Sequence, residues 1–389
     1  MEAPHFSVLC ATSQQWLSLA QIPRLLRRAG AYVTFLGPAG AWPLRGSFVD
    51  RWIPAEGSPD QIAAALGEHL ARADSYDWII IGDDPLLAAL GVLREHAWAR
   101  AALPLIPDEA RVGLLGSKLG FVRSAEALGL PIPPSRICQG AEQIRGAMRA
   151  FDGPVLLKEE GPSGGDGCRL LQDLDALAKA AGALPSAPVV VQAYLSGPVI
   201  SIEALYDRGR LRYVVTSTVV KAWPPPFGVS AIRRFAHDHE AAELAGQIGL
   251  KTGLHGFANL TMLRDPGNGE LRLIELDPRP NALFHLGDPL GLDITGTLRA
   301  MLEGADPVLP RHLPPGLDIH VPVYPADVLR CVIQRDWRGL FSWATNADGR
   351  WRWLPPGDPR MAAAYRTFIV RQLARRARAA LAGMLAINR

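Results

Sequence analysis

Apolar positions in the first hundred residues follow two periods in turn, which predicts strands alternating with helices. Strand-like apolar runs cover residues 6–11, 32–36, 49–53 and 78–81, and helical spacing covers residues 14–29, 59–73 and 85–93. Strands and helices that alternate in this way form a parallel sheet with helices against it. We therefore predict a small parallel α/β domain at the start of the chain.

The turn after the first strand excludes one common function of such a domain. It reads ATSQQW and lacks the G-x-G-x-x-G pattern that holds a dinucleotide phosphate, so the chain is not predicted to be a dehydrogenase. Asp83 and Asp84 follow the strand at residues 78–81, where sheet proteins place ligands. Capping of the following helix is the favoured interpretation of both acids.

A lysine at a helix start is the next candidate contact. Ser117 is a predicted cap, Lys118 lies in the first turn, and Gly129 ends the helix. A cation is unfavourable at this end of the helix dipole, which suggests an anionic contact elsewhere. A solvated lysine is the more common case for a single position.

A second lysine precedes a loop of small residues. Residues 155–157 form a predicted strand with Lys158 at its end, and the loop contains Ser163, Gly164, Gly165, Asp166 and Gly167. Glycines let backbone N–H groups approach phosphate oxygens, and the lysine adds charge. The order differs from a P-loop, where the lysine follows the glycines. The pattern favours a phosphate site over a plain hairpin turn.

Apolar runs typical of buried strands occupy the middle of the chain, at residues 187–195, 200–205 and 212–220. The first run closes with Gln192, Tyr194 and Leu195, where backbone groups can bind an adenine edge. Arg233 and Arg234 follow a proline–glycine loop. This pair suits a substrate carboxylate, with two surface arginines as an equally weighted alternative.

The segment LIELDPRPN carries the most distinctive pattern of charge. Glu275, Asp277 and Arg279 are each two residues apart, so a strand places all three on one face. A turn, RDPGNG, precedes this strand and predicts a hairpin that can bring Asn259 beside Glu275. These oxygen donors suit a divalent cation. An isolated E-x-D-x-R is as often a surface ion pair.

Composition limits the class of protein. The chain has 389 residues, of which 48% are hydrophobic and 20% charged, and its net charge is +3. We expect several folded lobes and no nucleic-acid partner. No window approaches the roughly 18 apolar residues of a membrane span, and no secretory signal is seen. Four widely spaced cysteines predict reduced thiols, and hence a cytoplasmic protein.

The C-terminal residues 361–389 form a predicted helix rich in alanine and arginine, without acids. A packing helix with a solvated arginine face is favoured over one that binds a membrane surface or a polyanion. The sequence leaves a homodimer open.

Taken in order, these motifs resemble the ATP-grasp superfamily, of the carboxylate–amine ligase type, over residues 1–305. The shared order is a parallel-sheet domain, a lysine helix, a strand lysine with a glycine loop, a Q-x-Y-L strand end and an E-x-D-P-R-P-N hairpin end. The resemblance implies an α/β (α+β) fold with four parts. These are an N-terminal parallel-sheet (pre-ATP-grasp) domain (1–105), two ATP-grasp lobes (106–195 and 196–310) and a C-terminal extension with a basic helix (311–389).

The resemblance also implies contacts for ATP and for its metal. The implied phosphate contacts are Lys118, Lys158, Ser163, Gly164, Gly165 and Gly167. The implied adenine and ribose contacts are Gln192, Tyr194, Leu195 and Glu203. The implied ligands of Mg²⁺, with Mn²⁺ as an alternative, are Glu275, Asp277 and Asn259.

The implied activity is ATP-dependent ligation of a small-molecule carboxylate to an amine through an acyl phosphate. Arg279 and Lys158 would stabilise the transferring phosphoryl group, and Arg233 would hold the acceptor carboxylate. Three positions depart from the family pattern, since Asn259 replaces an acid, Asp277 replaces an asparagine and Gln192 replaces the adenine-side acid. A nucleotide-binding regulatory or scaffold protein without turnover and a carboxylase-like enzyme are the alternatives.

Overall fold

The computed structural model describes residues 6–72, 75–161, 167–180, 184–225, 227–305 and 311–387, with side chains described up to residue 375. Within these ranges the strands are β1 (Phe6–Ala11), β2 (Ala31–Gly37), β3 (Arg51–Pro54), β4 (Trp78–Ile81), β5 (Ser135–Cys138), β6 (Val155–Lys158), β7 (Cys168–Leu171), β8 (Val189–Ala193), β9 (Val199–Asp207), β10 (Arg210–Trp223), β11 (Val229–Ala236), β12 (Gly256–Arg264), β13 (Leu271–Asp277), β14 (Arg311–His312) and β15 (Asp318–Pro322). The helices are α1 (Ile22–Arg28), α2 (Pro59–Leu70), α3 (Asp84–Val92), α4 (Ala97–Ala102), α5 (Lys118–Ala127), α6 (Gly140–Phe151), α7 (Leu174–Ala180), α8 (His239–Thr252), α9 (Ile294–Leu302), α10 (Ala326–Ile333), α11 (Trp337–Thr345) and α12 (Pro359–Ile387).

The N-terminal domain contains the predicted parallel sheet, with strand order β3-β2-β1-β4. The prediction of one helix over residues 14–29 is wrong, because α1 begins only at Ile22 and a short 3-10 turn covers Leu17–Leu19. Pro23 explains the late start. Proline lacks an N–H and fits the first turn of a helix, but it cannot lie in the interior without breaking the helix.

Asp83 caps α3, as predicted, and also fixes the turn after β1. Its Oδ1 accepts the Leu86 N–H at 2.9 Å, and its Oδ2 accepts from the Thr12 hydroxyl at 2.5 Å and the Ser13 N–H at 2.6 Å. The carboxylate is fully buried. Because the Asp83 carboxylate already accepts these three hydrogen bonds, its role is structural. The neighbouring Asp84 can make longer-range contacts.

Two antiparallel sheets follow. The first lobe has the order β5-β8-β6-β7, and the second has the order β13-β12-β9-β10-β11-β15, with β14 beside β10. The predicted hairpin is present as β12 and β13. The first lobe has its own buried cluster, which includes Ile144, Val155 and Val191, whereas the N-terminal domain and the second lobe share larger cores.

The C-terminal extension folds back onto the N-terminal domain. Met361 and Tyr365 of α12 pack with Trp42, and the Trp42 and Tyr365 ring centroids are 4.9 Å apart. Just before α12, the Asp358 carboxylate accepts the Ser47 N–H at 2.7 Å. None of the helices in the described ranges is long and apolar enough to cross a membrane.

His285 connects the chain after β13 to this extension. Its Nδ1 lies 2.9 Å from the Ala282 carbonyl oxygen, and its Nε2 lies 3.4 Å from that of Trp353. Burial disfavours the charged imidazolium and lowers the pKa of His285 to about 4. The ring is therefore neutral in the folded protein at pH 7.

We expect His285 to make the fold sensitive to acid. Between pH 6.5 and 4 the His285 ring is protonated in the unfolded chain but neutral in the folded chain. The free energy of unfolding therefore falls as the pH falls. The loss attributable to His285 is about 2 kcal/mol between pH 7 and pH 5. Urea unfolding of wild type and His285→Leu across this range measures it. The substitution should flatten the pH profile, whereas His96→Leu at an exposed site should not; parallel profiles for wild type and His285→Leu would contradict the expectation.

Candidate active site

Three polar residues form a row across the second lobe. Asn259 on β12 pairs with Asp277 on β13 and with Glu203 on β9, so the three side chains share one face of the sheet. Glu275 lies two pairs further along, opposite Thr261. The register of the hairpin places Asp277 directly opposite Asn259 and makes Glu275 the diagonal neighbour of Asn259.

Glu203, on β9, is the buried end of this row. Its Oε1 accepts hydrogen bonds from Arg233 at 2.7 Å, from Asn281 at 2.9 Å and from the Asn259 amide at 3.3 Å. Its Oε2 is buried without a hydrogen-bond partner among the described residues. Buried carboxylate oxygens are normally satisfied, so this atom is available to a bound cation or donor.

The two adjacent arginines of β11 have different environments. Arg233 is buried, and its Nη1 donates to Glu203, to the Ser201 hydroxyl at 3.0 Å and to the Ser217 hydroxyl at 3.4 Å. Arg234 is exposed and pairs with Asp318 at the strand edge. Successive residues of a strand face opposite sides, which separates the pair. Arg233, predicted to hold a substrate carboxylate, already holds Glu203.

Arg279 makes a two-point ion pair with Asp84. Its Nε and Nη2 donate to the two carboxylate oxygens of Asp84 at 2.5 and 2.7 Å, and Nη2 lies 3.2 Å from Asp277. Its Cζ lies 5.4 Å from the centre of the Trp16 ring. A two-point carboxylate contact fixes the plane of a guanidinium, so Asp84 orients Arg279.

Burial and charge shift the pKa values at this end of the site. Burial, together with the like charges of Glu275 and Asp84, raises the pKa of Asp277, and the opposing effect of Arg279 is smaller than their sum. Burial acts to lower the pKa of Arg279, but Asp277 and Asp84 raise it above its ordinary value. A bound cation would act against the raised pKa of Asp277, because it would favour the ionised form of Asp277.

The donor set fits Mg²⁺ held jointly with phosphate oxygens. Glu275, Asp277 and the Asn259 side-chain carbonyl are hard oxygen donors, and Glu203 Oε2 is unsatisfied nearby. In the described part of the chain, no cluster of three or more His, Cys, Asp or Glu side chains is arranged to hold a metal unaided. Mg²⁺ commonly uses one or two protein carboxylates and completes its shell with substrate phosphates and water.

The two predicted lysines lie where the lobes meet. Lys158 Nζ donates to the Ile274 carbonyl at 3.3 Å, which crosses from β6 to β13. Burial lowers the pKa of Lys158, whereas the nearby Glu275 carboxylate acts to raise it. Lys118 Nζ donates to the Glu159 carbonyl at 2.9 Å, beside Lys158 in sequence. Both ammonium groups are thus held at the edge of the metal-donor row, which is formed by Glu275, Asp277 and Asn259.

Part of the predicted phosphate loop lies outside the described residues, namely Ser163, Gly164 and Gly165, together with Asp166. Gly167 is described. Its φ of +74° is left-handed, and its carbonyl accepts the Glu159 N–H at 3.0 Å. Glycine suits this position because other residues are strained at such φ values. The described end of the loop therefore closes directly on the residue after Lys158.

The adenine-side residues are only partly free for a ligand. Gln192 is buried, and its Nε2 donates to the Ser135 hydroxyl at 3.0 Å. The Tyr194 N–H donates to the Pro154 carbonyl at 2.9 Å. Leu195 follows β8 and is half-buried. Gln192 thus supports the strand end, and contacts of Tyr194 and Leu195 with adenine stay predictions.

Known proteins resemble this chain in sequence and in fold. No protein-family model matches the chain. Over 188 residues it is 30% identical to the phosphoribosylamine–glycine ligase of Phenylobacterium zucineum. The aligned residues make up 43% of this chain and 44% of that protein. The chain spans less than half the length of the curated relatives it matches.

Solved structures match much more of the chain. An N5-carboxyaminoimidazole synthetase from Staphylococcus aureus, complexed with ADP, superposes with a TM-score of 0.63 over 82% of each chain at 15% identity. A phosphoribosylamine–glycine ligase from Thermotoga maritima superposes with a TM-score of 0.57 over 78% of each chain at 16% identity. The chain has the ATP-grasp fold.

The ATP-grasp fold confirms the predicted parallel-sheet domain followed by antiparallel sheets. Three residues of the candidate site were missed by the sequence prediction, which interpreted Asp84 as a cap and gave Asn281 and Ser201 no role. Asn281 follows directly after the D-P-R-P run, and its contact with Glu203 could have been suspected from that position. Nothing local in the sequence indicates that Ser201 lies against Arg233.

Proposed function

We propose that this chain is an ATP-dependent ligase that activates a carboxylate as an acyl phosphate and joins it to an amine. One observation carries the proposal: Lys158 of the first lobe and Glu275 of the second meet where the lobes join, next to the row of Asp277, Asn259 and Glu203. A cation facing oxygen donors suits a triphosphate and its metal. The relatives named phosphoribosylamine–glycine ligase support amide formation as the type of ligation.

ATP would lie between the two antiparallel sheets. Lys118, Lys158 and the glycine loop would contact its phosphates, and Tyr194 and Leu195 would lie against adenine. Mg²⁺, or Mn²⁺ with the same donors, would be held by Glu275, Asp277 and Asn259. When bound, the metal would offset negative charge on the phosphoryl oxygens.

The reaction has two bond exchanges. A substrate carboxylate oxygen bonds to the γ-phosphorus while the bond to ADP breaks, which gives an acyl phosphate. An amine nitrogen then bonds to the acyl carbon, inorganic phosphate leaves, and the nitrogen loses a proton. Lys158 would stabilise charge on the phosphoryl group, and Arg279, oriented by Asp84, would face the developing oxyanion.

A nucleotide-binding protein without turnover is the second candidate. Two observations favour it: Asp84 occupies the Nε–Nη2 edge of the Arg279 guanidinium, and Asn259 stands where the family resemblance implies a metal carboxylate. ADP release, measured with a pool of small carboxylates and amines, separates the candidates. The ligase releases ADP only with suitable substrates, and binding of ATP without release under any of them supports the second candidate. Release that depends on bicarbonate identifies a carboxylase-like enzyme instead.

Glu275→Gln tests the metal site. We expect ADP release to fall about 100-fold at low Mg²⁺ and to recover in part at high Mg²⁺, because the amide is a weaker ligand than the carboxylate. The exposed Glu270 lies at the other end of β13, and Glu270→Gln is a matched control that should keep wild-type rates. Near-normal rates in Glu275→Gln at low Mg²⁺ would remove Glu275 from the site.

A further inference from the structure

A second cavity lies between the N-terminal domain and α12. Its volume is about 490 Å³. Its walls are formed by Gln15, Trp16, Leu17, Trp42, Arg45, Phe368, Arg371, Gln372 and Arg375. The four helical residues follow one another at intervals of three, one and three, so a single face of α12 borders the cavity.

The charge of this cavity is entirely positive. Three arginines line it (Arg45, Arg371 and Arg375) and no acidic residue does. None of the three forms a salt bridge with a carboxylate anywhere in the described ranges. Arg45 donates through Nη2 to the Gly40 carbonyl, but its Nε is buried without a partner among the described residues. Arginines gathered without counter-charge repel one another, and a bound anion would remove this cost.

Aromatic rings give the cavity rigid walls. Trp42 is buried, its ring lies 5.7 Å from that of Phe368, and the Arg45 guanidinium lies 5.1 Å from its centre. Such rings hold a planar or ring-shaped ligand body while guanidinium groups bind its charge. Phe368, Arg371 and Arg375 of α12 line this cavity, and the two arginines are also exposed to solvent.

Trp16 connects this cavity to the candidate active site. It lines the cavity and also lies against the Arg279 guanidinium, with 5.4 Å from Cζ to the ring centre. Arg279 in turn contacts Asp277 in the metal-donor row. A single indole ring therefore separates the arginine cavity from the residues proposed to face the reacting atoms.

We propose that this cavity binds the anionic end of the ligase's small-molecule substrate, which carries a phosphate monoester or several carboxylates. The three arginines hold the anion, and the reacting end passes Trp16 to reach Arg279. The inference rests on the proposed function for the reaction itself, but not for anion binding. It assigns a role in substrate specificity to the C-terminal extension.

Calorimetric titration tests the cavity directly, without nucleotide or metal. Inorganic phosphate and succinate are the two probes. The Arg371→Gln/Arg375→Gln variant is expected to bind the preferred probe at least tenfold more weakly than wild type. Arg366→Gln is the matched control, since Arg366 is exposed on the same helix and does not line the cavity, and it should bind within twofold of wild type.

Each outcome bears on the inference. Tighter binding of phosphate supports a phosphorylated substrate, and tighter binding of succinate supports a polycarboxylate. The inference is overturned if neither probe saturates wild type at millimolar concentration, or if Arg366→Gln weakens binding as much as the double variant does. ATP binding, measured separately, should be equal in all variants. A wild type that binds the probe but never releases ADP would contradict the proposed ligase while leaving the anion site in place.

Discussion

Lys158→Ala is expected to reduce ADP formation about 10³-fold, the largest catalytic effect of any substitution considered for this chain. The Lys158 ammonium lies where β6 meets β13, between Glu275 and the start of the phosphate loop. Burial lowers the pKa of Lys158 despite the opposing effect of Glu275, and the phosphoryl group would be a further counter-ion for its charge. Removal leaves charge on the transferring group without a partner.

The measurement is single-turnover ADP release with saturating ATP and Mg²⁺. Lys179→Ala is the matched control, because Lys179 belongs to α7 of the same lobe and is exposed. It should keep the wild-type rate. ADP formation by Lys158→Ala within about tenfold of wild type would show that Lys158 serves only to join the lobes through Ile274.

Arg233→Met is expected to lower the free energy of unfolding by about 3–5 kcal/mol. The substitution keeps the volume of the side chain but leaves the Glu203 carboxylate buried without its cation. Ser201 and Ser217 would each lose a hydrogen bond from the same guanidinium. Denaturant unfolding at pH 7 measures the loss.

Two variants separate charge from packing in this experiment. Arg234→Met removes the neighbouring arginine, which is exposed and pairs with Asp318, and it should cost less than about 1 kcal/mol. Adding Glu203→Gln to Arg233→Met should restore part of the lost stability, because no unpaired charge then remains. Equal losses of unfolding free energy for Arg233→Met and Arg234→Met would mean that the buried Arg233–Glu203 pair does not determine the stability of the fold.

Local patterns in the sequence predicted the local parts of this structure. The caps at Asp83 and Ser117, the hairpin of β12 and β13 and the end of β6 at Lys158 all follow from residues within a few positions of one another. The helix start at Ile22 is also determined by nearby residues. The prediction of a longer helix followed the apolar spacing and did not include the effect of Pro23.

Contacts between distant residues could not be predicted in this way. Asp84 and Arg279 are 195 positions apart, and Arg233 and Glu203 are 30 apart on strands that are not neighbours. Adjacent arginines look alike in a sequence, and only the side of the sheet decides which is buried. The arginine cavity needs α12 to return to the first domain, which no local pattern specifies.

The separate core of the first lobe has a mechanical consequence. Its sheet, with α6 and α7, buries ten apolar side chains among themselves, and Val190 on the opposite face of β8 contacts the larger core. Rotation of this lobe as a rigid body would break the Lys158–Ile274 and Lys118–Glu159 hydrogen bonds while leaving its own core intact. Opening would then be a population equilibrium, and the apparent affinity for ATP would be the intrinsic affinity scaled by the fraction of closed molecules. Substitutions at residues 196–198, in the segment that links β8 to β9, would tune that affinity.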